Sequence, residues 1–407
     1  MKILVLNAGS SSQKSCLYEI SDVTLPESPP EPLWEGMVDW GKVVKGAELT
    51  VKANGVKREI SLETESRSQA LSTLLDTLTQ GDAAVLKDLG EIDIVGHRVV
   101  HGGTEYSEPT PISPEVKAAI AQLIPLAPAH NPAHLQGIEA IDQVLGNIPQ
   151  LAVFDTAFHS QIPAAAAAYP IPYEWFEQGI RRYGFHGISH EYCARRTAQL
   201  LDCPLNSLKL VTCHLGNGAS LAAVANGRSI NTTMGFTPLE GLMMGTRSGS
   251  IDPAIGLYLM REQGFTVDRV DTLLNRESGV KGIFGPSGDM RAVLAAMETG
   301  DDERAKLAFD MYIHRLRMGI GAMVASLGGL DGLVFAAGVG ENSAEVRQAT
   351  CEGLGFWGVA LDVVKNKQRP VDADIATADS AVRVLVIKTQ EDWAIAAACW
   401  QFMKALD

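Results

Sequence analysis

The sequence predicts an α/β protein of two related domains, and three observations predict it. The chain has 407 residues, beyond the size at which one hydrophobic core usually divides. An apolar strand, a small-residue loop carrying Asn and Ser, and a second strand open the chain and recur about half a chain later. Three glycine-bearing loops each follow an apolar strand, and such loops let backbone N–H groups approach an anion closely.

Each element follows from the spacing of apolar residues. Ile3 to Leu6 reads as a buried strand, Asn7 to Ser12 as its loop, and Ser15 to Ile20 as the returning strand. Pro26, Pro29, Pro30 and Pro32 mark a loop, and residues 33 to 60 alternate as further antiparallel strands. Ala70, Leu71, Leu74, Leu75 and Leu78 keep helical spacing, with Gly81 as the stop. Ile92 to Val95 is a short strand running into Gly96–Gly103. Gln136 to Leu145 reads as helix, and Leu151 to Phe154 as a strand ending at Asp155. The repeat is Leu208 to Thr212, the loop His214 to Ser220, and Leu221 to Val224. Gly332 to Ala336 leads into the third loop, Ala337 to Ser343. Val382 to Ile387 is the last strand, followed by a helix from Glu391 to Ala405.

Composition narrows the function classes. The net charge is −14, with 46% hydrophobic and 20% charged residues. No Lys/Arg-rich run offers a track for a phosphate backbone, so nucleic acid is not an expected partner. A small anion remains allowed, because local cations decide its binding. The six cysteines form no C-x-x-C pair and read as reduced thiols. The opening apolar run is too short for a signal peptide, and no apolar segment reaches the roughly 18 residues of a membrane span. A cytoplasmic protein without membrane association is the expectation.

Several motifs carry candidate chemistry. Gly36 to Val43 nearly fits a P-loop, but Val43 stands where Ser or Thr should meet magnesium. No G-x-G-x-x-G follows a strand, so a dinucleotide fold has no support. The pairs His97/His101, His130/His134 and His186/His190 lack the Glu of a zinc protease, and Pro132 is expected to break a helix between His130 and His134. His186 lies in the polar, glycine-rich run Arg181 to His190, a poor place for core packing. Arg98 and Arg247 sit among glycines, where a planar guanidinium can grip phosphate or carboxylate; ordinary surface arginines are the alternative. Asp155 ends a strand, where it either faces a ligand crevice or caps the next segment.

The chain resembles the acetate and propionate kinase family along essentially its whole length. The resemblance rests on Leu6–Ser12, Gly96–Gly103, Phe154–His159, Arg182–Gly187, His214–Gly218, Gly245–Gly249 and Gly340–Asn342, in that order. It implies two ribonuclease-H-like domains of the actin and sugar-kinase superfamily with the active-site cleft between them. The implied domains are 1–155 with 385–407, and 156–384. It also implies a homodimer, magnesium (or manganese in its place), and reversible phosphoryl transfer from ATP to acetate, giving acetyl phosphate and ADP. By the same resemblance Asn7 and Glu391 place the metal. Lys14, His214, Leu215, Gly216, Asn217, Gly218, Asp289, Met290, Arg291, Gly338, Val339, Gly340, Glu341 and Asn342 hold the nucleotide. Arg98 holds the acid, lined by Val100, His130, Phe185 and Pro238. Asp155, His186 and Arg247 are the implied catalytic residues. Ala129 stands where the family usually has Leu, and Ser250 where Asp is common. A propionate kinase or a non-catalytic actin-like ATPase are the alternatives.

Such an acid is already ionised at neutral pH, so it needs no general base. Asp155 is therefore expected to orient rather than to remove a proton.

Overall fold

Two sheets share one strand order in the computed structural model, which describes all residues except 10, 11, 22, 41–45, 65, 129, 301 and 407. The chain divides into one unit of Met1–Ala157 with Gln390–Asp407 and a second of Phe158–Thr389. The first sheet contains Lys2–Ala8 (β1), Ser12–Glu19 (β2), Trp34–Asp39 (β3), Ala47–Ala53 (β4), Val56–Leu62 (β5), Ile94–Val99 (β6), Thr110–Pro111 (β7) and Gln150–Phe154 (β8). The second contains Lys209–Leu215 (β9), Ala219–Ala225 (β10), Arg228–Thr232 (β11), Gly332–Ala336 (β12), Ala373–Asp374 (β13) and Arg383–Val386 (β14). The orders are β5-β4-β3-β2-β1-β6-β8-β7 and β11-β10-β9-β12-β14-β13. In both, an antiparallel meander, five-stranded in the first sheet and three-stranded in the second, continues through two parallel pairings: β1 with β6 and β6 with β8, and β9 with β12 and β12 with β14. The repeat read from the sequence is thus a repeat of topology.

Apolar alternation decides which face each strand buries. Leu4, Leu6, Leu17, Trp34, Leu49 and Val51 meet Leu71, Leu74 and Leu75 of the helix Arg67–Asp76 in one core. Fully burying each large apolar side chain is worth about 1.5–3 kcal/mol. On the opposite face of β6 the helix Glu391–Leu406 lies so close that a Cβ on Gly96 would sit 2.6 Å from Ile395 and Cys399.

Four local expectations are corrected. The helix expected to stop at Gly81 ends at Asp76, and a turn carries the chain on to Gly81, which has φ +79°. Gly96 to Val99 belong to β6, so Arg98 is a strand residue and not a loop residue; pairing on both sides outweighs the low strand propensity of Gly. Pro132 starts the helix Asn131–Leu145 rather than breaking it, because the first turn needs no N–H donor from it. The third loop is itself a helical turn, Ala337–Asn342, entered through Ala337 at φ +63°. In addition, β14 keeps residues 383–386 in the second sheet, so the return to the first unit begins at Gln390 rather than at 385. Ser10, Ser11, Ala129 and residues 41–43 of the P-loop-like stretch lie outside the described residues.

Buried histidines give the fold a pH dependence. His97, His101 and His159 are buried, and burial holds each imidazole down at about 4. His97 shares a 2.8 Å hydrogen bond with Gln150, whose amide donates to Asp142 at 2.7 Å. An unfolded histidine titrates near 6.5. Between these values the unfolded chain binds protons that the folded chain refuses. Stability therefore falls as pH falls through that window, by about 1.4 kcal/mol per pH unit for each ring. The urea midpoint should decline below pH 6.5, and His97→Gln should remove one proton's share of the slope. An unaltered slope in that variant would count against the assignment.

Candidate active site

In the first unit the ends of β1, β6 and β8 and the start of the C-terminal helix bring Asn7, Arg98, Asp155 and Glu391 together. Arg98 forks onto Asp155: Nη2 donates to Oδ2 at 2.7 Å, and Nε lies 3.1 and 3.2 Å from the two carboxylate oxygens. Arg98 Nη1 also donates to Asn7 Oδ1 at 3.3 Å. Burial alone would weaken the Arg98 charge, but Asp155, with Glu391 adding to it, holds the guanidinium firmly protonated. Burial pushes the Asp155 carboxyl above the usual range, while Arg98 pulls it back.

Asn7 Nδ2 donates to Asp392 Oδ1 at 2.8 Å and reaches Glu391 Oε2 at 3.4 Å. Lys14 pairs with Asp392 Oδ2 at 2.5 Å. Among the described residues Glu391 forms no ion pair, so its carboxylate is available for a cation. Asp392 is the residue sequence reasoning missed: it sets both Asn7 and Lys14. The signal was an acidic pair, Glu391-Asp392, at a helix start.

Val100 follows β6 and is buried. Asn131, fully buried, clamps the next residue: its Oδ1 accepts from His101 N at 3.3 Å and its Nδ2 donates to His101 O at 3.4 Å. His130 is the N-cap residue of the helix that Asn131 opens.

The second unit gathers a separate set. His186 holds a left-handed backbone (φ 59°, ψ 24°) at the start of the helix Gly187–Leu200. A non-glycine residue there is uncommon and often functional. Its ring stacks on His214, centroids 4.1 Å apart. Ser220 Oγ lies 2.8 Å from both His186 Nδ1 and His190 Nε2, and His190 Nδ1 is 2.7 Å from Thr212 Oγ1. His214 Nδ1 bonds Ser189 Oγ at 2.8 Å. Ser220 of β10 thus fixes His186, and Ser189 of the helix Gly187–Leu200 fixes His214.

A Cβ placed on Gly218 would lie 3.4 Å from Arg247 Nη1 and 3.5 Å from His186 Nε2, so the three share one small region. Arg247 Nη1 donates to Pro238 O at 3.0 Å, and Met244 Sδ is 3.7 Å away. Among the described residues no carboxylate pairs with it, and burial lowers its basicity unopposed. A partly buried guanidinium without a counter-charge is suited to an anion. Its loop is fixed by contacts only glycine permits. A Cβ on Gly245 would meet Asn217 Oδ1 at 2.1 Å, and one on Gly279 (φ +62°) would meet Met244 O at 2.1 Å and Arg247 O at 2.6 Å.

The other second-unit residues are placed as follows. Leu215 ends β9, and Gly216–Gly218 form the tight turn to β10. Phe185 is buried, and its carbonyl meets His159 Nε2 at 3.1 Å. Gly338, Val339, Gly340 and Asn342 lie in the helical turn after β12, whose Ala336 is in register with His214. Glu341 Oε1 accepts from Ala337 N and from both Thr389 donors, so its carboxylate braces this turn. Asp289 caps the helix Met290–Glu298 and is forked by the exposed Arg291. Lys14 alone of the expected nucleotide residues belongs to the first unit.

Comparisons with known proteins show the family and the fold. The acetokinase family profile matches residues 2–397. An acetate kinase of Gloeothece citriformis is 63% identical over 400 residues, 98% of each chain. The crystal structure of the Porphyromonas gingivalis acetate kinase superposes with a TM-score of 0.90 at 40% identity, covering 100% of both chains. A propionate kinase from Francisella tularensis gives 0.89 at 38% identity over 98% of both. The fold is that of these kinases, and the chain belongs to the acetokinase family.

Proposed function

We propose that the protein transfers the γ-phosphoryl group of ATP reversibly to acetate, giving acetyl phosphate and ADP. Arg247 carries the phosphoryl part of this reading: it is a partly buried cation with no carboxylate partner among the described residues, beside His186 and the Asn217–Gly218 turn. Acetate as acceptor comes from the acetate kinases the chain resembles over its full length.

An acetate oxygen attacks the γ-phosphorus in line, and the bond to the β–γ bridging oxygen breaks as ADP leaves. No proton need move, because the acid is already ionised. Arg98 holds the acetate carboxylate, aimed by its fork on Asp155. Val100, His130, Phe185 and Pro238 line the acid. His186 and Arg247 donate to the equatorial oxygens of the transferring group, where charge stabilisation and positioning dominate the rate. His214–Gly218, Asp289–Arg291, Gly338–Asn342 and Lys14 hold the nucleotide.

Oxygen donors with one uncommitted carboxylate fit magnesium, which keeps most of its water and phosphate ligands. Glu391 would hold it, with Asn7 fixing that carboxylate, and manganese could take its place. When bound, the metal supplies positive charge to the phosphate oxygens.

We read the enzyme as a homodimer; exposed Ile255, Leu257, Tyr258 and Val267 on neighbouring helices support this. Among the described residues no helix is long and apolar enough to cross a membrane.

Acyl-hydroxamate formation from ATP, magnesium and hydroxylamine, run with acetate, propionate and butyrate, tests the function. Acetate should give the highest kcat/KM and propionate a lower, measurable one, since a methylene is worth about 1–3 kcal/mol in discrimination. Equal or better efficiency on propionate would favour the reading of the Francisella relative. No hydroxamate from any acid would end the kinase reading.

A further inference from the structure

One carboxylate organises the arc of chain that leads to Arg247. Glu240 Oε1 accepts from Arg182 Nη2 at 2.6 Å, and Glu240 Oε2 accepts the Tyr169 hydroxyl proton. Each partner also grips the arc's backbone. Arg182 Nη1 donates to Thr233 O at 2.9 Å and Met234 O at 3.0 Å. Tyr169 Oη accepts from Phe236 N at 2.8 Å. Gly235 lies flat against this cluster: a Cβ there would sit 1.7 Å from Glu240 Oε2 and 2.1 Å from Tyr169 Oη. At the far end Ser250 Oγ accepts from Gly241 N at 3.1 Å, and Ser250 N donates to Gly241 O at 2.9 Å. Residues 233–241 are therefore pinned along their length, and the pinned arc carries Pro238. The Pro238 carbonyl is the oxygen that receives Arg247 Nη1.

We infer that Glu240, through Arg182 and Tyr169, is a positioning residue for phosphoryl transfer: it holds the Pro238 carbonyl where it turns the Arg247 guanidinium toward Gly218 and His186. This rests on the reading of Arg247 as the group that meets the transferring phosphoryl. A carbonyl can aim a guanidinium without neutralising it, whereas a carboxylate in that place would cancel the charge the reaction uses. The acidic group is kept one step away, clamping backbone.

The test is a set of kcat and KM measurements on Glu240→Ala, Glu240→Gln and Tyr169→Phe, each alone and combined with Arg247→Ala, with thermal midpoints alongside. Glu240→Ala alone should lower kcat about ten- to hundredfold, the scale of a roughly 1 Å misplacement. KM for ATP should stay within about twofold, because no residue read as holding the nucleotide lies on the arc, and any rise in KM for acetate should be smaller than the loss in kcat, because the arc also carries Pro238 of the acid wall. Glu240→Gln and Tyr169→Phe should lower kcat less. With Arg247 already replaced, none of the three should lower kcat further, because they act through that side chain. Equal fold-losses in both backgrounds would overturn the inference and leave the role of Arg247 standing. Wild-type kcat in Arg247→Ala alone would remove that role and the positioning with it. Should Glu240→Ala fail to fold, Tyr169→Phe decides by the same comparison.

Discussion

Arg247→Ala should lower kcat by about 100- to 1,000-fold, the usual loss on removing one donor aimed at developing charge. KM for acetate and ATP should change far less, since charge on the equatorial oxygens is the feature that distinguishes transition state from ground state. Arg247→Lys should recover little, because an ammonium cannot reproduce the planar fork. Stability gives an independent check. The guanidinium has a carbonyl and a thioether as partners and, among the described residues, no counter-charge. Its partial burial without a carboxylate partner adds nothing to folding, so the alanine variant should melt no lower than the wild type. A group needed only for packing would show the reverse: full kcat in the folded fraction and a lowered midpoint. More than a tenth of wild-type kcat in a well-folded Arg247→Ala protein would sink the assignment.

The second large effect is expected at Asp155. Asp155→Asn keeps the shape but removes the charge that holds Arg98. Breaking a buried pair from one side costs about 3–5 kcal/mol, because the remaining ion loses its partner. The variant should therefore unfold at lower denaturant. Its kcat/KM for acetate should fall about 100-fold, as Arg98 is no longer aimed. The pH profile separates orientation from base catalysis. If Asp155 only orients, residual activity keeps the wild-type position of its acidic limb. Loss of that limb in the variant would show that Asp155 takes a proton after all.

The motif residues were legible in the sequence because loops that meet phosphate need glycine, and groups that grip anions need arginine or histidine. Their immediate settings were less legible. Arg98 reads as a loop residue, yet it lies in β6, since a strand paired on both sides tolerates Gly and His that propensity would place elsewhere. Ala337–Asn342 reads as a loop and is a helical turn, because Glu341 supplies an acceptor to Ala337 N from within the segment. Asp392 was passed over for the same reason: its value depends on Lys14 and Asn7, more than 370 residues away in the chain.

By itself the sequence determined the alternation of strands and helices, the doubled strand-turn-strand opening and the family, since these depend on local periodicity and on motifs short enough to read in order. Only the tertiary structure decided which charge is cancelled and which is left open. Arg98 and Arg247 look alike on paper; folding gives one a carboxylate and the other a carbonyl. Electrostatic energy depends on distance and burial through space, and neither is written in the spacing of residues along the chain.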